Sequence, residues 1–234
     1  MKTQAIIAMA GTGQRLGADV PKPFVLLDNI PLFVYCLKAF EESNRTDSVI
    51  LVVHPDWVEY AKEAVLNNKI NKVKKVVAGA KVRVRSVFNG LQVLDMDTDI
   101  VVVHDGVRPF VSFELIDEVI SRCYNEDAVV VAVPVKYTVK MVDNNSGRFV
   151  KKTLDRTQLW EAQTPQVFKR DILLAAYARF GRQLDVDGGL FTDEACMVEQ
   201  CGYKVRIVMG EYRNIKITTK EDIVIAESFL HKTE

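Results

Sequence analysis

The 234-residue chain predicts a doubly wound α/β fold built on a mostly parallel sheet. Three features carry that expectation. Short, β-branched apolar runs recur along the chain and are nearly continuous, the pattern of strands covered on both faces. Amphipathic helical stretches alternate with them. Polar, glycine-bearing clusters follow two of the runs directly, where open α/β sheets bind ligands.

Taken in order, "AIIAMA" (5–10) reads as the first strand. "PLFVYCLKAF" (31–40) reads as a helix whose first turn accepts Pro31. "VILVV" (49–53), "KKVV" (74–77), "DIVVVHD" (99–105) and "AVVVAVP" (128–134) are further strands. Between the last two, "FELIDEVISRC" (113–123) puts Leu115, Ile116, Val119, Ile120 and Cys123 on one stripe. Near the C-terminus, "TTKEDIVIAESFL" (218–230) begins with a capping-box-like Thr219-x-x-Asp222 and continues as an amphipathic helix. One region breaks the rhythm. Residues 135–160 read as two alternating strands around the turn "DNNSG". A lone hairpin buries little surface, so it is expected to be an arm packing on a second subunit. No repeat, low-complexity tract or Gly/Ser/Pro-rich linker divides the chain, and residues 1–234 are expected to form one domain with the arm at about 135–160.

Composition narrows the function classes. There are 31 basic and 31 acidic residues, so nothing favours a nucleic-acid or membrane surface. The N-terminal apolar run breaks at Gly11, too early for a secretory signal, and no stretch approaches the roughly 18 apolar residues of a membrane span. A cytoplasmic location is expected. The four cysteines (Cys36, Cys123, Cys196, Cys201) form no C-x-x-C pair and read as reduced thiols; no histidine supports a metal at Cys196/Cys201.

The stretch "MAGTGQRLGADVPKPF" (9–24) carries the chemistry. It is not a dinucleotide fingerprint, because Leu16 occupies the third glycine position, and it lacks the second glycine and lysine of a Walker A loop. What remains is Gly11 and Gly13, which let backbone amides approach phosphate oxygens, with Arg15 and Lys22 as fixed cations. Pro21 and Pro23 flank Lys22 and predict an extended, stiff loop there.

This stretch resembles the signature loop of nucleotidyltransferases that join a nucleoside triphosphate to a sugar or polyol phosphate. "GAKVRVRSVFNGL" (79–91), "VVHDGVRPF" (102–110), "VPVKYTVKMV" (133–142), "DRTQLWEAQTPQVF" (155–168), "TDEA" (192–195) and "GEYRNIKITTKEDI" (210–223) follow in the order of the 2-C-methyl-D-erythritol 4-phosphate cytidylyltransferase family. The resemblance covers nearly the whole chain. It implies a Rossmann-like sheet of the nucleotide-diphospho-sugar transferase type, a homodimer formed through the arm, CTP and a polyol phosphate as substrates, and Mg2+. It also implies site roles. Arg15, Lys22 and Lys216 would act on the reacting phosphates, with Asn214 nearby. Met9, Ala10, Gly11, Gly13, Gly79 and Ser86 would hold CTP, with Arg83 as support. Asp105, Arg108, Thr138, Arg156 and Thr192 would hold the acceptor, Asp105 being the Mg2+ ligand as well. Thr138 and Arg156, on the arm, would reach the neighbouring subunit's site.

The implied reaction needs no general base. A phosphate monoester has its second pKa at about 6 and is already largely ionised, so the protein must align two anions and neutralise charge. The chain has only three histidines, and His104, beside Asp105, is read as structural. Departures from the family pattern fall at Met9, Pro23, Ala80 and Lys81, of which Met9 and Ala80 bear on the base pocket. The nearest alternative is a ribitol 5-phosphate cytidylyltransferase; Gly106 in "HDGVRP" and the segment "DRTQLW" favour the methylerythritol family. A catalytically silent nucleotide-sensing module is the alternative of another class, against which Arg15, Lys22, Asp105 and Lys216 stand.

Overall fold

The computed structural model describes residues 1–11, 20–143, 149–181 and 191–230. In chain order it comprises β1 (Thr3–Met9), β2 (Leu26–Leu27), β3 (Ile30–Pro31), α1 (Leu32–Glu42), β4 (Ser48–Val53), α2 (Val58–Asn67), β5 (Val73–Ala78) and α3 (Arg83–Leu91). There follow β6 (Ile100–Asp105), α4 (Phe113–Cys123), β7 (Ala128–Pro134), β8 (Lys140–Asp143), β9 (Phe149–Thr153), β10 (Trp160–Lys169), α5 (Arg170–Phe180), α6 (Glu194–Gln200), β11 (Val205–Met209) and α7 (Lys220–Leu230).

The five apolar runs are β1, β4, β5, β6 and β7. The main sheet has seven strands in the order β11-β7-β10-β6-β1-β4-β5. β1 lies parallel between β4 and β6, and β11 lies parallel to β7. β10 is antiparallel to both β6 and β7. Both faces are covered, which is why the strands are nearly continuous in apolar residues. On one face Ala5, Ile7 and Met9 of β1 pack with Phe33, Leu37 and Phe40 of α1 and Ile116, Val119 and Ile120 of α4. On the other, Ile6, Ile50 and Val103 pack with Val87 and Leu91 of α3, Leu173 and Tyr177 of α5, and Met197 of α6. The stripe expected on residues 113–123 is buried in full.

The chain runs outward from β1 through β4 to β5, then returns to β6 on the other side of β1. The reversal leaves a crevice above the carboxyl ends of β1 and β6, where ligands bind in open α/β sheets. Registers bring Met9 level with Val53, and Ala8 level with Asp105, along that edge.

The predicted hairpin is present as β8 paired antiparallel to β9, with every residue of both strands exposed. Its turn falls mostly on residues 144–148, outside the described residues. The arm ends earlier than the sequence suggests, because Trp160 already belongs to β10 and pairs with Pro134. Lys22–Phe24 differs from expectation too: it is a single 3₁₀ turn rather than an extended stretch. Pro23 sits in its first turn, where a missing N–H costs nothing, and buried Phe24 stacks on Trp57 at 4.6 Å between ring centroids. Burial of that ring overrides the extended preference of a residue before proline. The capping box forms as predicted: the Thr219 N–H donates to Asp222 Oδ2 at 2.8 Å, and the Asp222 N–H to Thr219 Oγ1 at 3.4 Å.

α3 lies close on the sheet because residue 90 has no side chain. A Cβ on Gly90 would stand 2.8 Å from Ile6 Cγ2 and 3.0 Å from Val52 Cγ2. Gly90→Ala should therefore lower stability by about 1–3 kcal/mol despite alanine's better helix propensity. Urea unfolding checks this, and a stability gain would show that α3 is not wedged.

Candidate active site

A cavity of about 340 Å3 occupies the crevice. Of the residues predicted for a site, Met9, Ala10, Gly11, Lys22, Ser86, Asp105 and Lys216 line it; Ala80, Lys81 and Arg83 line it as well. Gly13 and Arg15 lie outside the described residues. Gly79 and Arg108 sit behind the lining. Thr138, Arg156 and Thr192 are exposed and do not line the cavity. Arg156 donates from Nη1 to the Lys136 carbonyl at 2.8 Å, within the base of the arm.

Asp105 is the one carboxylate among the described lining residues, and cations converge on it. Arg83 Nε donates to Oδ1 at 2.9 Å, Lys216 Nζ to Oδ2 at 2.8 Å, and Arg108 Nε stands 3.7 Å from Oδ2. Burial alone would raise the Asp105 carboxyl, but Arg83, Lys216 and Arg108 outweigh it and hold the group well below the usual carboxylate range. Lys216 is half-exposed, so its ammonium can keep one hydrogen bond to Asp105 and offer its other donors to a ligand.

The turn after β6 is fixed by a neutral polar frame. Thr164 Oγ1 accepts the Asp105 N–H at 3.1 Å and contacts His104 Nδ1 at 3.0 Å. His104 Nε2 is 3.3 Å from the Arg108 carbonyl, which can only accept. Nε2 therefore carries the proton, and Nδ1 accepts from the Thr164 hydroxyl. His104 is fully buried, and burial pushes it down to about 3. It is neutral near pH 7 and holds this turn through its two hydrogen bonds. The 211–217 segment docks on the same turn. The Asn214 carbonyl accepts Arg108 Nη1 at 2.8 Å, and the Ile217 N–H donates to the Val107 carbonyl at 2.9 Å. This docking carries Lys216 to Asp105.

On the opposite wall the 79–82 loop is closed by Ser86. Its hydroxyl accepts the Ala80 N–H at 2.9 Å and lies 3.0 Å from the Ala80 carbonyl. A Cβ on Gly79 would come within 2.3 Å of Ala10 Cβ. Glycine is needed there for β1 and the loop to meet, so Gly79 backs the cavity instead of lining it.

Sequence reasoning missed Glu194, Tyr177 and Thr164. Glu194 stood inside a quoted motif but reads as an ordinary acidic residue in a helix first turn. It is 0% exposed and accepts Arg83 Nη1 at 3.0 and 2.8 Å.

No group of three potential metal-ligating side chains occurs among the described residues. The donor set at Asp105 suits Mg2+ only as a single carboxylate completed by substrate phosphates and water, the way this cation is held at nucleotide sites. Burial pushes the Cys36 and Cys123 thiols up to about 12. No helix among the described residues is long and apolar enough to cross a membrane.

A doubly wound sheet with a cation-rich crevice at its switch point defines a Rossmann-like protein built to take an anionic ligand. Comparison with known proteins makes this specific. The family model for 2-C-methyl-D-erythritol 4-phosphate cytidylyltransferase matches residues 3–232. The enzyme of that name from Caldanaerobacter subterraneus is 41% identical over 233 residues, covering 99% of this chain and all of that one. Its counterpart from Alkaliphilus metalliredigens is 41% identical over 232 residues, covering 99% of this chain and 94% of that one. Among solved structures, 4-diphosphocytidyl-2C-methyl-D-erythritol synthase from Anaerococcus prevotii superposes with a TM-score of 0.84 at 31% identity, covering 99% of both chains. The Thermus thermophilus cytidylyltransferase gives a TM-score of 0.75 at 27% identity, covering 99% of this chain and 100% of that one. The chain belongs to the 2-C-methyl-D-erythritol 4-phosphate cytidylyltransferase family.

Neutral, buried His104 has a consequence for acid stability. The unfolded state takes up a proton below about 6.5 and the folded state only near 3, so this contribution is present above 6.5 and lost as pH falls. Between pH 6.5 and 4.5 stability should fall by up to about 1.4 kcal/mol per pH unit. The slope should shrink in His104→Gln. Denaturant midpoints across that range check it, and an unchanged slope would contradict a neutral histidine.

Proposed function

We propose that this protein joins CTP to 2-C-methyl-D-erythritol 4-phosphate, giving 4-diphosphocytidyl-2-C-methyl-D-erythritol and pyrophosphate, a step of isoprenoid biosynthesis by the methylerythritol phosphate pathway. The observation that carries the reading is the crevice itself. Lys22, Arg83 and Lys216 line it together with a single ionised carboxylate, Asp105, at the switch point of a chain that matches the family from residue 3 to 232. An oxygen of the acceptor phosphate attacks the α-phosphorus of CTP. The new P–O bond forms as the bond to the β-phosphate bridging oxygen breaks, and pyrophosphate leaves with that electron pair. No proton transfer is required of the protein, which agrees with His104 being locked and neutral.

Placement in the crevice and membership of the family support these roles. Lys22, on a turn anchored by the Phe24–Trp57 stack, and Lys216, tethered to Asp105, bind the reacting phosphates and strengthen their contacts as charge builds on the phosphoryl oxygens. Arg15 shares this work. Met9, Ala10, Gly11 and Gly13 receive the nucleotide against the 79–82 loop and Ser86 in the first turn of α3. Asp105 and Arg108 hold the acceptor side, with Thr192. A divalent cation, bound by Asp105 and the triphosphate, would neutralise phosphate charge and orient the leaving group. The arm, with Met141, Val142, Phe149 and Val150 exposed, pairs two subunits, and Thr138 and Arg156 complete the partner's acceptor site. The protein works in the cytoplasm.

The deciding experiment is pyrophosphate release with Mg2+, pairing CTP, UTP, ATP and GTP each with methylerythritol 4-phosphate and ribitol 5-phosphate. Turnover confined to CTP and methylerythritol phosphate is expected. Turnover with ribitol phosphate would overturn the acceptor, and silence throughout would favour a nucleotide-sensing module. Lys216→Ala should cut kcat about 10²- to 10³-fold with a smaller change in the CTP KM. A variant that changed only KM would place Lys216 in ground-state binding.

A further inference from the structure

Glu194 is the first residue of α6 and is fully buried. It does not line the cavity, and nothing in the reaction as derived uses it. Yet both of its carboxylate oxygens are engaged. Arg83 Nη1 reaches Oε1 at 3.0 Å and Oε2 at 2.8 Å, and the Tyr177 hydroxyl lies 3.1 Å from Oε1. Its backbone is held as firmly. Asp193 caps the helix by accepting the Cys196 N–H at 2.9 Å, while Gln166 of β10 donates to Asp193 Oδ2 at 2.8 Å and accepts the Ala195 N–H at 3.1 Å.

The same guanidinium faces the cavity side. Arg83 gives Nη1 to Glu194 and Nε to Asp105 at 2.9 Å. A planar fork bonded to carboxylates along two edges has little freedom to rotate. A buried ion pair adds little net stability over a well-packed apolar replacement, so what this one sets is geometry. We propose that Glu194 is a positioning residue: it fixes the Arg83 guanidinium, and through it the Asp105 carboxylate that tethers Lys216. The line Tyr177–Glu194–Arg83–Asp105–Lys216 carries the order of the core to the edge of the crevice.

This inference rests on the cytidylyltransferase reading, and kinetics of Glu194→Gln, Arg83→Gln and the double variant in the full-length protein test it. Glu194→Gln should lower kcat about 10- to 100-fold, as loss of an outer-shell partner does at other sites. The CTP KM should change less than about threefold, since the phosphate contacts themselves remain. The double variant should be no slower than Arg83→Gln alone. A folded Glu194→Gln with parental kcat would overturn the proposal, and so would losses that multiply in the double variant. If Glu194→Gln does not fold, Tyr177→Phe, which removes the hydroxyl shared between Glu194 Oε1 and the Val84 carbonyl at the start of α3, must lower kcat with KM unchanged; parental kcat there is equally contrary. An inactive parent would overturn the functional reading and this inference together, whereas an active parent with unaffected variants would sink this inference alone.

Discussion

The site depends on one buried carboxylate that must stay ionised. Asp105 ends β6, the strand beside β1 in the middle of the sheet, where desolvation opposes a charge. It is stable there only because cations arrive from three separate segments: Arg83 at the start of α3, Arg108 from the turn after β6, and Lys216 from the segment before α7. Each was placed by a different part of the fold. The crevice is therefore an assembled object whose cations are already gathered and already oriented.

The remainder of the site holds that node in place. His104, Thr164 and Asn214 are buried polar groups that hold the turn and the 211–217 segment together by hydrogen bonds. Glu194 and Tyr177 hold Arg83 from behind. Such a frame suits a reaction whose nucleophile arrives ionised, because alignment and charge neutralisation are then the protein's main tasks.

Much of this was legible in the sequence. Runs such as "VILVV" and "AVVVAVP" identified strands because burial on both faces leaves few positions for polar residues. The capping box at Thr219 and the stripe from Leu115 to Cys123 were read correctly because both are local patterns. β10 escaped notice because Gln163, Thr164 and Gln166 break its apolar character. They are tolerated in a central strand since each finds a partner: Glu211, His104 and Asp193 respectively. Lys22 lines the crevice, but its backbone shape differs from the extended one its flanking prolines suggest, because Phe24's tertiary burial overrode the local effect of Pro23. Glu194 was invisible for a related reason. Its partner Arg83 lies 111 residues away, and no local pattern reports such a contact.

The most direct measurement is a ¹³C NMR pH titration of the Asp105 carboxyl carbon, assigned through Asp105→Asn. The carboxyl carbon should keep its ionised chemical shift from neutral pH down to the acid limit of the folded protein, because Arg83, Lys216 and Arg108 hold it charged. A midpoint near the ordinary aspartate value of about 4 would mean that these cations do not converge on Asp105, and the organisation of the crevice described above would be wrong.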